Sequence, residues 1–383
     1  MLKRKIVSIF LIFTLLLSPA FAEPEFKLDA KSALLMDYNT GEIIYSMNEN
    51  DRLAPASITK VMTLLLTMEA ISTGKINLDD KVMISEHASS MGGTQVYLEP
   101  GETQTVENLI KAVAIRSAND AAVALAEHIA GTEEGFTKLM NNKAKALGME
   151  NTNFTNSSGL PKENLYSSAR DVAIMSRELL RHSKIHDYLT IYMEDMLVGK
   201  KKDSTQTMVN TNKLIKEYEG TTGVKTGSTS EAGHCVSASA KKGDLQLIAV
   251  IMGSPSGKVR FAEAKKLLDY GFANYDSVTI GKKGDIIAKI PVEKGKEDTV
   301  EIMLEKDSYV LLPKGKKAEV EKVPVFPEFI NAPLEQGDVI GELLIKVDGN
   351  EVDKVKLVAK STIEKAGLGT ILKKTINSFI KGR

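Results

Sequence analysis

Three short clusters in the chain carry residue types suited to acyl transfer through a nucleophile: Ser57 and Lys60 in "SITK", Ser117 and Asn119 in "IRSANDAA", and Lys225-Thr226-Gly227 in "GVKTGSTS". From Ser57 to Met68 the chain reads "SITKVMTLLLTM", and Lys60 is the only charge in that run. A lysine buried there is costly unless it is paired or shifted toward neutrality. Positions i and i+3 share one face of a helix, so Ser57 and Lys60 become neighbours if the segment is helical. Pro55 suits a first helical turn. That start leaves Ser57 near free backbone N–H groups and the positive end of the helix dipole. An apolar setting lowers the amine's pKa and lets it accept a proton. The pair therefore reads as a serine nucleophile with a lysine base.

The other two clusters add the groups such a reaction needs. Ser117 and Asn119 stand two residues apart at a break between apolar helical stretches, which aims a hydroxyl and an amide into one cleft. Lys225, Thr226 and Gly227 set a cation, a hydroxyl and a glycine on an edge strand, a site for a substrate carboxylate. The glycine is expected there to let a substrate backbone approach closely. Each cluster alone has a plainer reading: a helix start with a solvated lysine, a cap, a turn after a strand. Their joint occurrence in one order, with Ser117 60 residues after Ser57 and Lys225 108 residues after Ser117, argues against three coincidences.

The elements that must position these groups follow from pattern. "SALLMDYNTGEIIYSMN" reads as a hairpin turning at Asn39-Thr40-Gly41. A long apolar helix runs from about Ser57 to near Gly74. "TVENLIKAVAIRS" and "NDAAVALAEHIAG" read as helices, the latter ending at a glycine. "EEGFTKLMNNKAKALGM" and "SSARDVAIMSRELLRHS" have amphipathic helical spacing. "GHCVSASAKKGDLQLIAVIMGS" gives two strands around Lys242-Gly243-Asp244, and "VRFAEAKKLLDYGFANY" a closing helix. A hairpin, a block of helices, then strands and a helix predict an α+β fold whose antiparallel sheet is assembled from both ends of the region. From about Asp276 to Lys360 short alternating runs broken by Gly, Lys and Pro predict a small all-β domain.

Composition sets outer limits. The 383 residues allow two or three domains, with 43% apolar and 26% charged residues. Fifty acidic and fifty basic residues balance, and 5% aromatics without tryptophan offer little stacking surface, so a nucleic-acid partner is not expected. Cys235 is the only cysteine, so no intrachain disulfide forms, and its apolar context marks a small buried residue. The five histidines form no metal set. His182 and His186, one helical turn apart, are expected on the surface. "MLKRK", the apolar run "IVSIFLIFTLLL" and Ala20-Phe21-Ala22 have the form of a secretory signal over residues 1–22. At the other end, Leu368, Ile371, Leu372, Thr375, Phe379 and Ile380 share one helical face among Lys365, Lys373, Lys374, Lys381 and Arg383. Residues 361–383 are thus expected to form an amphipathic helix on an anionic membrane surface.

The order S-x-x-K, S-x-N, K-T-G occurs in penicillin-recognising enzymes. With "SALLMDYNTGEIIYSMN", "RLAPASITKVMT", "GTQVYLEPGE", "IRSANDAAVALAE", "GVKTG" and "RFAEAKKLLDYGF", the chain resembles the low-molecular-weight penicillin-binding proteins, serine-type D-alanyl-D-alanine carboxypeptidases, over essentially its whole length. The resemblance implies a transpeptidase-like domain over 23–275 on a β-rich domain over 276–360. It also implies removal of the terminal D-Ala from peptidoglycan pentapeptides, inhibition by β-lactams, and no cofactor or metal. Carried over by position, Ser57 is similar to the acylated nucleophile, Lys60 to its base and Ser117 to the proton relay to the leaving amine. Asn119 would hold the substrate amide. Lys225 would tune the relay, Thr226 would bind the terminal carboxylate, and backbone N–H groups of Ser57 and Ser228 would form the oxyanion hole. Arg260 matches an arginine before the domain's last helix, a second candidate for the carboxylate. Ser228 stands where some relatives carry histidine. "NSSGLPKENLYSSARD" lacks the histidine that often precedes Gly-Leu in those relatives. Two other readings compete. A class A-like serine β-lactamase would need a deacylating glutamate about 35 residues after S-x-N. No E-x-x-L-N motif lies near "MENTNFTNSS", and Glu163 begins "ENLYS". A non-catalytic wall-binding scaffold would have no need of Ser57 and Lys60.

Overall fold

A computed structural model describes residues 27–315 and 317–369. The expected signal segment and most of the expected tail helix lie outside the described residues, and the described start of that tail over 361–366 is not the expected helix, because Ile363 pairs with Leu334 and is buried in the β-rich region. Strands β1 (Ser32–Asp37) and β2 (Ile43–Met47) form the hairpin. After a block of helices come β3 (Thr221–Thr229), β4 (Gly233–Lys242) and β5 (Leu245–Ser254). The five pair antiparallel in the order β2-β1-β5-β4-β3, so the sheet is assembled from both ends of the region and β3 is an edge.

The sheet is covered on both faces, which is why "LQLIAVIMGS" is almost continuously apolar. Ile248, Val250 and Met252 of β5 join one core with Leu34 and Met36, while Leu247, Ala249 and Ile251 join another with Ala33 and Leu35. The period of two along each strand divides the two layers. Helix α1 (Lys60–Ser72) sits in the first core and is buried nearly all round. A helix without a polar face belongs in an interior. Around it stand α2 (Asn119–Ala130), α3 (Glu133–Ala146) and α4 (Ala169–Leu180). Helix α5 (Gly257–Asn274) covers the opposite face through Phe261, Ala264, Leu267 and Leu268.

Where α5 ends, β6 (Tyr275–Gly281) begins an all-β region with a third core around Ile302, Ile345, Val355 and Leu357. Its strands are β7 (Ile286–Glu293), β8 (Thr299–Leu304), β9 (Ser308–Pro313), β10 (Val320–Val325), β11 (Ile330–Asn331), β12 (Val339–Val347) and β13 (Asn350–Ala359). Six form the sheet β10-β12-β13-β8-β7-β11, and β6 pairs with β9. A cleft of about 950 Å³ between Tyr38, Arg177, Tyr309 and Asp353 lies at the β1–β2 turn, the end of the sheet opposite β3 residue Ser228.

Three local differences from the pattern reading bear on function. Ser57 lies not in α1 but in a 3-10 turn, Ala56–Thr59, that leads into it. The helix Val106–Lys111 continues as a π-helical turn over Ala112–Arg116, and Ser117 then takes a left-handed conformation at φ 66° and ψ 34°. Helix α4 ends at Leu180, so His182 and His186 share no helix. Both are half-buried, and His186 Nε2 lies 2.8 Å from the Leu180 carbonyl. That helix end needs partners for its last carbonyls, and His186 supplies one.

Candidate active site

The serine turn is built by close backbone approaches. Ala56 is buried at φ 48°, a conformation that costs a non-glycine residue energy. Two glycines make room for it. A Cβ on Gly159, itself at φ 78°, would lie 1.9 Å from the Ala56 carbonyl oxygen. A Cβ on Gly227 would lie 2.9 Å from the Ser57 nitrogen and 3.0 Å from the Pro55 oxygen. Gly227 therefore admits the protein's own serine turn against the edge of β3. The reason for that glycine is packing of β3 on the turn, in place of the substrate approach expected from sequence.

Three acceptors surround the Lys60 amine. Nζ lies 3.1 Å from Ser57 Oγ, 2.6 Å from Asn119 Oδ1 and 2.6 Å from the Ser158 carbonyl. Asn119 Nδ2 donates to the Gly92 carbonyl at 2.7 Å, which turns Oδ1 toward the lysine. Lys60 is fully buried, and its pKa is pushed well below the ordinary lysine value by desolvation, with Lys225 adding repulsion and Asp120 opposing. A neutral amine has two N–H donors and one lone pair. The amide and carbonyl oxygens can only accept, so they take the two donors and leave the lone pair facing the Ser57 hydroxyl. Ser57 is half-exposed, so an incoming carbonyl can reach it.

Ser117, placed by the π turn, is buried, and its hydroxyl has no hydrogen-bond partner among the described residues. Such a group calls for an explanation, and a reaction role is one. The Asp120 carboxylate accepts from the N–H groups of Val96 and Leu98 and so fixes the loop over the cleft. Desolvation raises its pKa against those bonds. On β3, Lys225 is buried and its pKa falls to about 7, by desolvation first and by the Arg260 charge second. Thr226 Oγ1 donates to Thr211 Oγ1 at 2.7 Å. Arg260 is in the first turn of α5, not before the helix as expected. Its Nη1 donates to the Gly227 carbonyl at 2.9 Å, Ser228 Oγ at 2.9 Å and the Cys235 carbonyl at 3.2 Å. Cys235 itself is buried.

The structure thus gathers Ser57, Lys60, Ser117, Asn119, Lys225, Thr226, Gly227, Ser228 and Arg260 between the serine turn, the start of α2 and the β3 edge. Sequence reading missed the supports. The Ser158 carbonyl is backbone and carries no side-chain signal, although Gly159 marked a turn. Glu133 holds that turn by accepting from Ser157 N at 2.9 Å and Ser157 Oγ at 2.7 Å. Thr211 and Asp120 looked like ordinary polar loop and cap residues. Glu163 is exposed, and no carboxylate is bonded to Lys60 among the described residues.

Comparison with known proteins places the chain in a family. The family model described as D-alanyl-D-alanine carboxypeptidase matches residues 19–256, and that of the penicillin-binding protein 5 C-terminal domain matches 275–365. The chain is 44% identical to the D-alanyl-D-alanine carboxypeptidase DacF of Bacillus subtilis, over 99% of each chain. Among solved structures, penicillin-binding protein 5 from Haemophilus influenzae aligns with TM-score 0.73 and 33% identity, covering 88% of this chain and 98% of that one. Penicillin-binding protein D2 from Listeria monocytogenes, solved in an ampicillin-bound form, aligns with TM-score 0.56 and 29% identity over 65% of this chain and 100% of that one.

Proposed function

The chain belongs to the D-alanyl-D-alanine carboxypeptidase family, and on that premise we propose that it removes the terminal D-Ala of peptidoglycan stem pentapeptides through an ester on Ser57. The observation that carries this reading is the fully buried Lys60 amine 3.1 Å from Ser57 Oγ, its pKa held well below the ordinary lysine value by desolvation. Lys60 takes the hydroxyl proton as Ser57 Oγ bonds to the penultimate carbonyl carbon. Backbone N–H groups of Ser57 and Ser228 hold the developing oxyanion. Ser117 Oγ passes a proton to the departing D-Ala nitrogen as the C–N bond breaks and recovers one from the Lys60 ammonium, which becomes neutral again. Water then attacks the ester as Lys60 accepts its proton, and Lys60 returns that proton to Ser57 Oγ as the ester C–O bond breaks and the shortened peptide leaves with its new carboxylate. Asn119 holds the substrate amide. Thr226 and Arg260 meet the terminal carboxylate, and Lys225 sets the local potential. Trimming the donor stem in this way limits cross-linking during cell-wall biogenesis and so influences cell shape. β-Lactams acylate the same serine.

The segments divide the work. Residues 1–22 direct export, 23–275 carry the chemistry, 276–366 act as a spacer, since Ile363 pairs with Leu334 and is buried in the third core, and the segment beyond rests on the anionic outer face of the cytoplasmic membrane. Each lysine or arginine near such a surface contributes about 1 kcal/mol, adding to apolar burial. No helix among the described residues is long and apolar enough to cross a membrane. The decisive experiment is release of free D-alanine from a peptide ending in D-Ala-D-Ala. The purified protein is expected to release it and Ser57→Ala to release none. Equal release by both, or none by the parent, refutes the assignment.

A further inference from the structure

A histidine absent from the motifs stands beside Ser228 and Arg260 at the edge of the candidate site. In the β3–β4 register Ser228 faces His234, and His234 Nδ1 lies 2.9 Å from Ser228 Oγ. The same oxygen takes Arg260 Nη1 at 2.9 Å and is 2.7 Å from the Gly227 carbonyl. One serine hydroxyl therefore joins the imidazole, the guanidinium and the K-T-G backbone. The first turn of α5 closes the group, since a Cβ on Gly257 would lie 3.8 Å from His234 Nδ1. His234 and Ser228 both keep solvent access, while Arg260 is 9% exposed, with its Nε buried and without a partner among the described residues.

We infer that His234 is a positioning and specificity residue of the carboxylate subsite, orienting Ser228 and adding a proton-dependent positive charge where the substrate's terminal carboxylate binds. The inference rests on the carboxypeptidase reading, which assigns that carboxylate to Thr226 and Arg260. The hydrogen-bond inventory separates two states. When the imidazole is protonated, Nδ1–H must donate to Ser228 Oγ. Ser228 Oγ then accepts from His234 and Arg260, and its own proton goes to the Gly227 carbonyl. When the imidazole is neutral with its proton on Nε2, Nδ1 accepts, and the Ser228 proton is divided between His234 and Gly227. The neutral tautomer with its proton on Nδ1 donates to Ser228 Oγ in the same way, so what the protonated state alone adds is a second cation beside the guanidinium. Histidine is the side chain whose charge changes between about pH 5 and 8. Carboxylate binding and His234 protonation are then linked, each favouring the other. On β3 the group set against the imidazole is Ser228. Ser254 of β5 stands opposite in register, and α5 contributes Arg260 and the N-terminal peptide groups at Gly257, the positive end of the helix dipole.

The test uses the full chain carrying Ser57→Ala, which binds but does not react. The dissociation constant of a D-Ala-D-Ala peptide is measured near pH 5.5 and pH 8, alongside the same peptide as its C-terminal amide. The acid form is expected to bind about two- to fivefold more tightly at the lower pH than Lys225 protonation alone produces, the scale of a partly exposed ion pair. Lys225 titrates in the same window but is present in every variant, so the difference between variants isolates His234. With His234→Gln added, which keeps a hydrogen bond and loses the charge, that excess is expected to vanish while the melting temperature holds. Adding His234→Ala instead should weaken binding at both pH values, because Ser228 loses its partner. An unchanged pH dependence in His234→Gln overturns the assignment of His234. If amide and acid bind alike, the carboxylate subsite itself has been misread, and the assignment falls with it.

Discussion

Gly227→Ala probes the close approach on which the reaction centre depends. The added methyl would lie 2.9 Å from the Ser57 nitrogen, 3.0 Å from the Pro55 oxygen and 3.1 Å from the Ala56 Cβ. Comfortable contacts of carbon begin at about 3.5 Å, so β3 and the serine turn must part by roughly 0.5 Å. No flexible side chain can absorb this, since two of the three neighbours are backbone atoms and the third belongs to a buried alanine at φ 48°. Overpacking of this kind costs about 1–3 kcal/mol. In a catalytic region of this size that lowers Tm by about 2–12 °C. The functional cost is larger, because the substitution separates the two backbone donors proposed for the oxyanion hole, one on each side of the gap. Losing such a donor costs about 100- to 1000-fold, and a misplacement of about 1 Å costs about 100-fold. A half-ångström parting is therefore expected to slow acylation by roughly 10- to 100-fold. The second-order rate of acylation by a fluorescent penicillin, with a calorimetric Tm on the same sample, measures both quantities. Acylation within threefold of the parent, with Tm lowered as expected, would show that the strand–turn spacing does not set the oxyanion geometry.

Further outcomes follow from the same structure. Lys225 has a folded pKa of about 7 against an ordinary 10.5, so between these values the unfolded chain binds more protons and stability rises with pH. Lys225→Met should abolish most activity yet raise unfolding free energy near pH 7 by up to about 4 kcal/mol, and chemical denaturation at several pH values should show the rise with pH flattened. Asn119→Asp places a carboxylate 2.6 Å from Lys60 Nζ, which favours the ammonium and raises its pKa, so the acid limb of kcat/KM should move to higher pH. An acid limb that stays in place would argue against Lys60 as the base. Intact-protein mass spectrometry should show a persistent penicillin adduct on Ser57, whereas rapid turnover would favour a β-lactamase. Deleting 367–383, which spares the buried Ile363 and Ala366, should release the protein from anionic vesicles while D-alanine release from a small peptide persists, and continued co-sedimentation would place the anchor elsewhere.

What the sequence determined by itself was the chemistry and the layers. Ser57 and Lys60 announced themselves because a lone charge in an apolar helical run needs a reason, and the ordered motifs with Ser117, Asn119 and Lys225 supplied it. Periodicity sufficed for β1 to β5 and the helices, since a sheet buried on both faces and a helix apolar all round leave plain patterns. The tertiary structure decided the arrangement inside the site. Ser57 came to lie on a 3-10 turn because close backbone contacts at Gly159, Gly227 and Ala56 outweigh helix propensity there, and Ser117 came to follow a π turn. The Ser158 carbonyl, the Asp120 clamp and the His234–Ser228–Arg260 group were invisible to pattern. Each depends on atoms from segments far apart in the chain, and the carbonyl is one that every residue carries. Sequence fixes which side chains are available, but only packing decides which of them lose water, and that loss is what lowers the pKa of Lys60.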